Sequence, residues 1–126
     1  MGLDMYAWRT KAENAIGDFE TADVDGALDE LAYWRKHHDL HGWMERLYRA
    51  KGGTAESFNC VKLRLTMEDL DALEKDVLAN KLPETTGFFF GNNPPDEDSM
   101  NTDMRFIADA KVAIAAGDAV YYDSWW

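Results

Sequence analysis

Between Glu30 and Tyr48 the chain reads ELAYWRKHHDLHGWMERLY, and all three of its histidines fall inside that run. Its spacing constrains the fold more than any other stretch. Leu28, Leu31 and Ala32 open an apolar side. Tyr33, Leu40, Met44, Leu47 and Tyr48 continue it at offsets of three and four, and Trp43 joins the arc. The spacing predicts one continuous amphipathic helix over about residues 29–50, ended by Gly52 and Gly53. Gly42 inside it costs about 1 kcal/mol relative to alanine. Close packing of another backbone accounts for it, and so does simple tolerance.

The remaining elements are shorter. LDMYAW at residues 3–8 alternates as a strand, with Leu3, Met5 and Ala7 on one face and Asp4, Tyr6 and Trp8 on the other. Residues 9–27 are polar and weakly patterned, which predicts a loop with a short helical turn. FNCVKLRL at 58–65 reads as a strand with Val61, Leu63 and Leu65 on one face and Cys60, Lys62 and Arg64 on the other. Thr66 then caps a helix whose core stripe is Leu70, Leu73 and Val77, with Glu68 and Asp69 in its first turn. TTGFFFG at 85–91 suggests a short buried strand or a turn, and 92–101 a loop. A helix over about Thr102–Ala116 turns Phe106, Ile107, Ala110, Ala113 and Ile114 inward and stops at Gly117. AVYYDSWW at 119–126 reads as a strand paired within the sheet. The expectation is a single α+β domain over residues 1–126, with a small three- to four-stranded sheet and about three helices packed against it.

Charge and cysteine usage narrow the partners. With 24 acidic against 13 basic residues the net charge is −11, which disfavours direct nucleic-acid binding, since phosphate neutralisation supplies most non-specific affinity. Such a chain suits a basic protein partner or mimicry of phosphate in a DNA-binding groove; its plainer reading is solubility through like charge. A single cysteine, Cys60, excludes an internal disulfide framework. No basic segment followed by an apolar run opens the sequence, and no apolar stretch approaches the roughly 20 residues that span a bilayer. The expectation is a cytoplasmic protein with no membrane partner.

Each candidate site has a plain reading beside it. On a helix His37 and His41 lie four apart and His38 and His41 three apart, a spacing that can hold a transition metal. Two histidines without an HExxH glutamate point instead to structural side chains, and neither metal nor cofactor is expected. Lys36 falls inside the predicted apolar arc, where an ammonium needs a partner such as Asp4 or lies along aromatics with its head in water. Arg35 with Lys62 and Arg64 can form a basic patch for an anion, or make ordinary salt links. Cys60 is a nucleophile only if one of the histidines acts as its base. Gly87 and Gly91 lack the register of a phosphate-binding loop, and the acids at 96–98 lack the spacing of an EF-hand. No catalytic residue is identified.

One resemblance covers nearly the whole chain. MGLDMY at 1–6, ELAYWRKHHDLHGWMERLYRAKGG at 30–53, FNCVKLRLTMEDLDALEKD at 58–76, LPETTGFFFG at 82–91 and AVYYDSWW at 119–126 resemble a family of small tailed-phage and prophage proteins of unassigned function. Some of its members carry a phosphoglycerate kinase label, yet this chain has no nucleotide-binding loop and is too short for a two-domain kinase. The resemblance implies expression in the cytoplasm of an infected bacterium, and an accessory protein that binds or modulates a host or phage macromolecule. It also implies which ligand-binding candidates lie in the family's motif segments. Asp4 and Tyr6 come from the first segment, Tyr33, Trp34, Arg35, Lys36, His41 and Trp43 from the second, and Asn59 and Cys60 from the third. The competing readings are a small enzyme or ligand-binding protein with a pocket around Lys36, His41 and Trp43, and a homo-oligomer sealed by its aromatics.

Overall fold

Strand pairing decides what becomes of the first third of the chain. The computed structural model describes residues 3–21, 28–35, 37–79 and 97–125, with 97–100 described by backbone alone. Four strands, β1 (Asp4–Lys11), β2 (Asp29–Arg35), β3 (Leu63–Leu65) and β4 (Asp118–Trp125), form one sheet in the order β2-β1-β4-β3. Every pairing is antiparallel. With the helices α1 (His38–Ala50), α2 (Met67–Leu78) and α3 (Glu97–Ala115), the architecture is α+β, as the sequence predicts. The C-terminal strand is held between β1 and β3, which suits its apolar composition.

The pleat sorts side chains onto two faces. Met5 and Ala7 stand opposite Ser124 and Tyr122 on β4 and opposite Trp34 and Ala32 on β2. Leu63 and Leu65 extend the same face through Tyr122 and Val120. These side chains are buried, Ala32 in part, and the helices cover them. Leu40, Met44 and Tyr48 come from α1, Leu70, Leu73 and Val77 from α2, and Phe106, Ile107, Ala110 and Ala113 from α3.

Local chemistry fixes the helix ends. Thr66 accepts from the Asp69 amide while Asp69 accepts from the Thr66 amide, a reciprocal box that satisfies two N-terminal donors of α2. Lys51, just past α1, donates to the Asp69 carboxylate at 2.7 Å and to the Arg64 carbonyl at 2.6 Å, so it pins α1 to the start of α2. Gly117 ends α3 at φ 97, which a side chain rarely adopts. A methyl group at Gly53 would run into the ring of Tyr48, whose hydroxyl accepts from the Ala55 amide.

The predicted helix over 29–50 is the main correction. Residues 29–35 are β2, and the helix begins only at His38. In DELAYWR both periods fit: Ala32 and Trp34 alternate with Tyr33 and Arg35, and tyrosine and tryptophan sit well on a pleated surface. Pairing along β1 settles the choice by giving both backbones hydrogen-bond partners. The neighbourhood deduced for Lys36 from helical geometry therefore disappears, and Lys36 itself lies outside the described residues.

Smaller corrections have similar causes. The strand expected over 58–65 shrinks to 63–65, because Cys60 sits at φ 59, where an extended chain cannot continue. β1 runs on to Lys11, because β4 pairs with it as far as Lys11↔Asp118. The short turn expected after it is a single 3-10 turn at Ala12–Asn14. α3 starts at Glu97, so part of the loop expected over 92–101 is helical. The TTGFFFG segment lies outside the described residues.

Candidate functional site

Among the described residues, chain segments cover only half of the outer face of the sheet. Residues 15–21 cross its β3–β4 side. Tyr121 donates to the carbonyls of Gly17 at 2.6 Å and Glu20 at 3.2 Å, the Arg64 amide donates to Asp18, and Lys62 donates to Thr21. This cover buries Tyr121, and Thr10 and Ala119 on the same face are buried too. The other half, over β2, β1 and the end of β4, carries aromatics that reach solvent. Tyr6 lies nearly parallel to Trp8, with ring centroids 5.4 Å apart, and Tyr33 tilts onto Tyr6 at 5.2 Å. Tyr33 is 46% exposed and Trp125 66%.

Carboxylates are set among these rings. The Tyr33 hydroxyl donates to Asp4 at 2.7 Å, and Arg35 approaches the same oxygen at 4.0 Å. That hydrogen bond to Asp4 raises the Tyr33 phenol above its usual range. Asp123 stands directly across from Tyr6, and Glu30 across from Trp8. Burial raises the Asp123 carboxyl, opposed by the Ser124 amide and by Lys62. Asp4, Asp123 and Glu30, against Arg35 and the nearby Lys62, leave the described part of this half-face net acidic.

A second, buried polar cluster lies on the helical side. Asp103 of α3 is 1% exposed. One of its oxygens accepts from the Trp34 indole at 3.0 Å, and the other meets His37 Nε2 at 2.8 Å. His41 Nδ1 lies 2.6 Å from the Tyr122 hydroxyl, and its ring also bonds the Phe58 backbone. The carbonyl of Phe58 can only accept, so Nε2 carries the proton and Nδ1 accepts from Tyr122. Burial lowers His41 to about 4, with His38 adding to the effect and the Phe58 bond opposing it, so the ring is neutral. Burial also holds the Tyr122 phenol well above its usual range.

The candidate residues thus divide. Asp4, Tyr6, Tyr33 and Arg35 come together on the outer face. Trp34 points the opposite way, into the Asp103 cluster. Trp43 donates to Asp76 of α2 at 2.8 Å, while His41 bonds Tyr122 and Phe58, so the two have different hydrogen-bond partners. Asn59 is partly buried, and Cys60 is exposed. With its ring nitrogens occupied, His41 is no base for Cys60, and His37 is held by Asp103. Arg35 on β2 and Arg64 on β3 are separated by three strand spacings, about 14 Å, so they do not form one basic patch. Among the described residues no group of three or more His, Cys, Asp or Glu side chains could hold a metal ion.

Cys60 carries backbone strain instead. Its φ of 59 is the left-handed region, where a side chain costs about 1–2 kcal/mol. Cys60→Gly is expected to raise stability by about 0.5–1 kcal/mol, after the added freedom of the unfolded chain is deducted. Urea melts of both proteins check this; a lower midpoint for the variant would mean the side chain's contacts outweigh the strain.

Sequence reasoning missed Trp8, Trp125, Asp123, Glu30 and Asp103 as site residues. Alternation in β1 already placed Trp8 beside Tyr6, and strand parity in β4 aligns Trp125 with Asp123. Nothing local marks Asp103, whose partners are 66 and 69 residues away. No helix among the described residues is long and apolar enough to cross a membrane. No family model, no curated protein and no solved structure matches the chain.

Proposed function

We propose that the chain is a non-enzymatic accessory protein, encoded by a phage or prophage and acting in the infected host cell, that binds a host or phage protein through the uncovered half of its sheet. The observation that carries this reading is the row of exposed Tyr33 and half-buried Tyr6 and Trp8, with exposed Trp125 beside it, which no other described segment covers. Tyrosine and tryptophan supply large contact area at small entropic cost and dominate binding hot spots. A net charge of −11 repels phosphate, which favours a protein over a nucleic acid as the occupant. His37 is held by Asp103 and His41 by Tyr122 and the Phe58 backbone, which supports a binding role over catalysis for these side chains.

The test is capture from a bacterial host lysate, then calorimetry on the purified partner. Trp8→Ser is expected to weaken binding at least tenfold, as removal of an aromatic anchor does. Glu45→Gln, on α1 behind the sheet, is expected to leave affinity unchanged, and circular dichroism checks that both variants fold. Absence of a saturable partner, or a Trp8→Ser affinity equal to the parent's, would overturn the reading. Sedimentation at rising concentration covers one more outcome: a dimer abolished by Trp8→Ser would put a second copy in place of the foreign partner.

A further inference from the structure

We infer that the group recognised on the outer face is cationic: lysine and arginine side chains of an extended basic segment, seated on the rings of Tyr33, Tyr6, Trp8 and Trp125. This rests on the docking reading above and names the chemistry of the partner. The aromatic faces attract a cation through the ring quadrupole when it lies within about 6 Å of a centroid. The chain uses this contact itself, with Arg49 placed 5.1 Å from the centroid of Tyr48. Tyr6 and Trp8 turn one face towards each other and Tyr33 tilts onto Tyr6, while among the described residues no cation lies over these rings.

Charge placement points the same way. Asp123 opposite Tyr6, Glu30 opposite Trp8 and Asp4 beside Tyr33 lie on this half-face, and Arg35 is the basic residue that the register places among them. Arg35 is spread over solvent, with 66% of its side chain exposed and only a 4.0 Å approach to Asp4. A lysine or arginine over Tyr6 would therefore meet a ring face and the Asp123 carboxylate together. An anionic or purely apolar occupant would bury those carboxylates with only the Tyr33 hydroxyl and Arg35 at Asp4, and the Ser124 amide and Lys62 at Asp123, to offset the cost. Strand geometry favours an extended segment, since same-face side chains on such a segment repeat at the spacing of Tyr6 and Trp8 along β1.

The test uses synthetic decapeptides on the full chain, followed by tryptophan fluorescence and calorimetry. The probes are alternating Lys-Thr, the same peptide with glutamine in place of lysine, and oligo-dT. The Lys-Thr peptide is expected to bind saturably and to lose about tenfold in affinity between low and moderate salt. Asp4→Asn with Asp123→Asn is expected to weaken it at least fivefold, and Tyr6→Ser likewise. Asp109→Asn with Glu68→Gln, which removes equal charge from the helical side, is expected to leave it unchanged. Equal weakening by the two charge-removing pairs would overturn the inference, because net charge alone would then explain binding. Equal affinity for the glutamine peptide, or preference for oligo-dT, would overturn it too. If a captured protein docks on Trp8 while the lysine peptide fails, the cation is wrong and the docking reading stands; if nothing docks there, both fall.

Discussion

Asp103→Ala is expected to lower global stability by about 3–5 kcal/mol, the range found when one member of a buried charged or hydrogen-bonded pair is removed. The carboxylate is 1% exposed and has both oxygens engaged, by the Trp34 indole and the His37 imidazole. Truncation leaves two buried donors without an acceptor, and that desolvation, more than the lost attraction, makes the cost large. The effect should be global. Asp103 joins α3 to the edge strand β2 through Trp34 and to the residue that precedes α1 through His37. A chain of this size has roughly 5–15 kcal/mol of stability in all, so the variant approaches the unfolding threshold at 37 °C.

Asp103→Asn separates the two partners. Its amide oxygen can still accept from Trp34, so the expected loss falls to about 1–2 kcal/mol, assigned to the His37 contact. A double-mutant cycle with His37→Ala should return a coupling of roughly 2 kcal/mol. Urea denaturation of the four proteins measures all of this. A midpoint for Asp103→Ala within error of the parent's would show that the cluster does not hold α3 to the sheet.

That cluster also shows where reading the sequence stops. Periodic signals gave β1, α2 and β4, because each rests on local alternation or a local cap. The face of Met5 and Ala7, the Thr66 cap with the stripe Leu70, Leu73 and Val77, and the stop at Gly117 were all legible. The segment 29–35 was not. Its side chains satisfy a helical and a pleated period equally, and the deciding term is pairing with β1, some 25 residues earlier. The outer-face group Asp4, Tyr6, Tyr33 and Arg35 was half legible. Its members were nominated, but the reason they meet is cross-strand register, which also recruits Trp8, Asp123 and Trp125. Asp103 carried no local mark at all, since a helical aspartate with no capping role looks like any solvated acid.

The second large effect is a pH dependence set by His41. The ring is neutral in the fold, lowered to about 4, chiefly because burial penalises its charged form. Unfolded, the same imidazole titrates near 6.5. Between those values the unfolded chain binds a proton that the folded chain refuses, so acid favours unfolding. The stability tied to the neutral ring is complete above about pH 6.5, falls as pH drops towards 4, and changes little below that. A displacement of this size corresponds to about 3 kcal/mol. Carboxylates titrate in the lower part of the window, so the measurement is a difference between two proteins. In His41→Gln the side-chain amide can donate to the Phe58 carbonyl and accept from Tyr122, as the imidazole does, without titrating. The variant is expected to lose about 3 kcal/mol less than the parent between about pH 7 and pH 4, measured by urea melts at each pH. Superimposable pH profiles would mean that the buried ring charges as readily as a free one, and that its bond with Tyr122 does not hold it neutral.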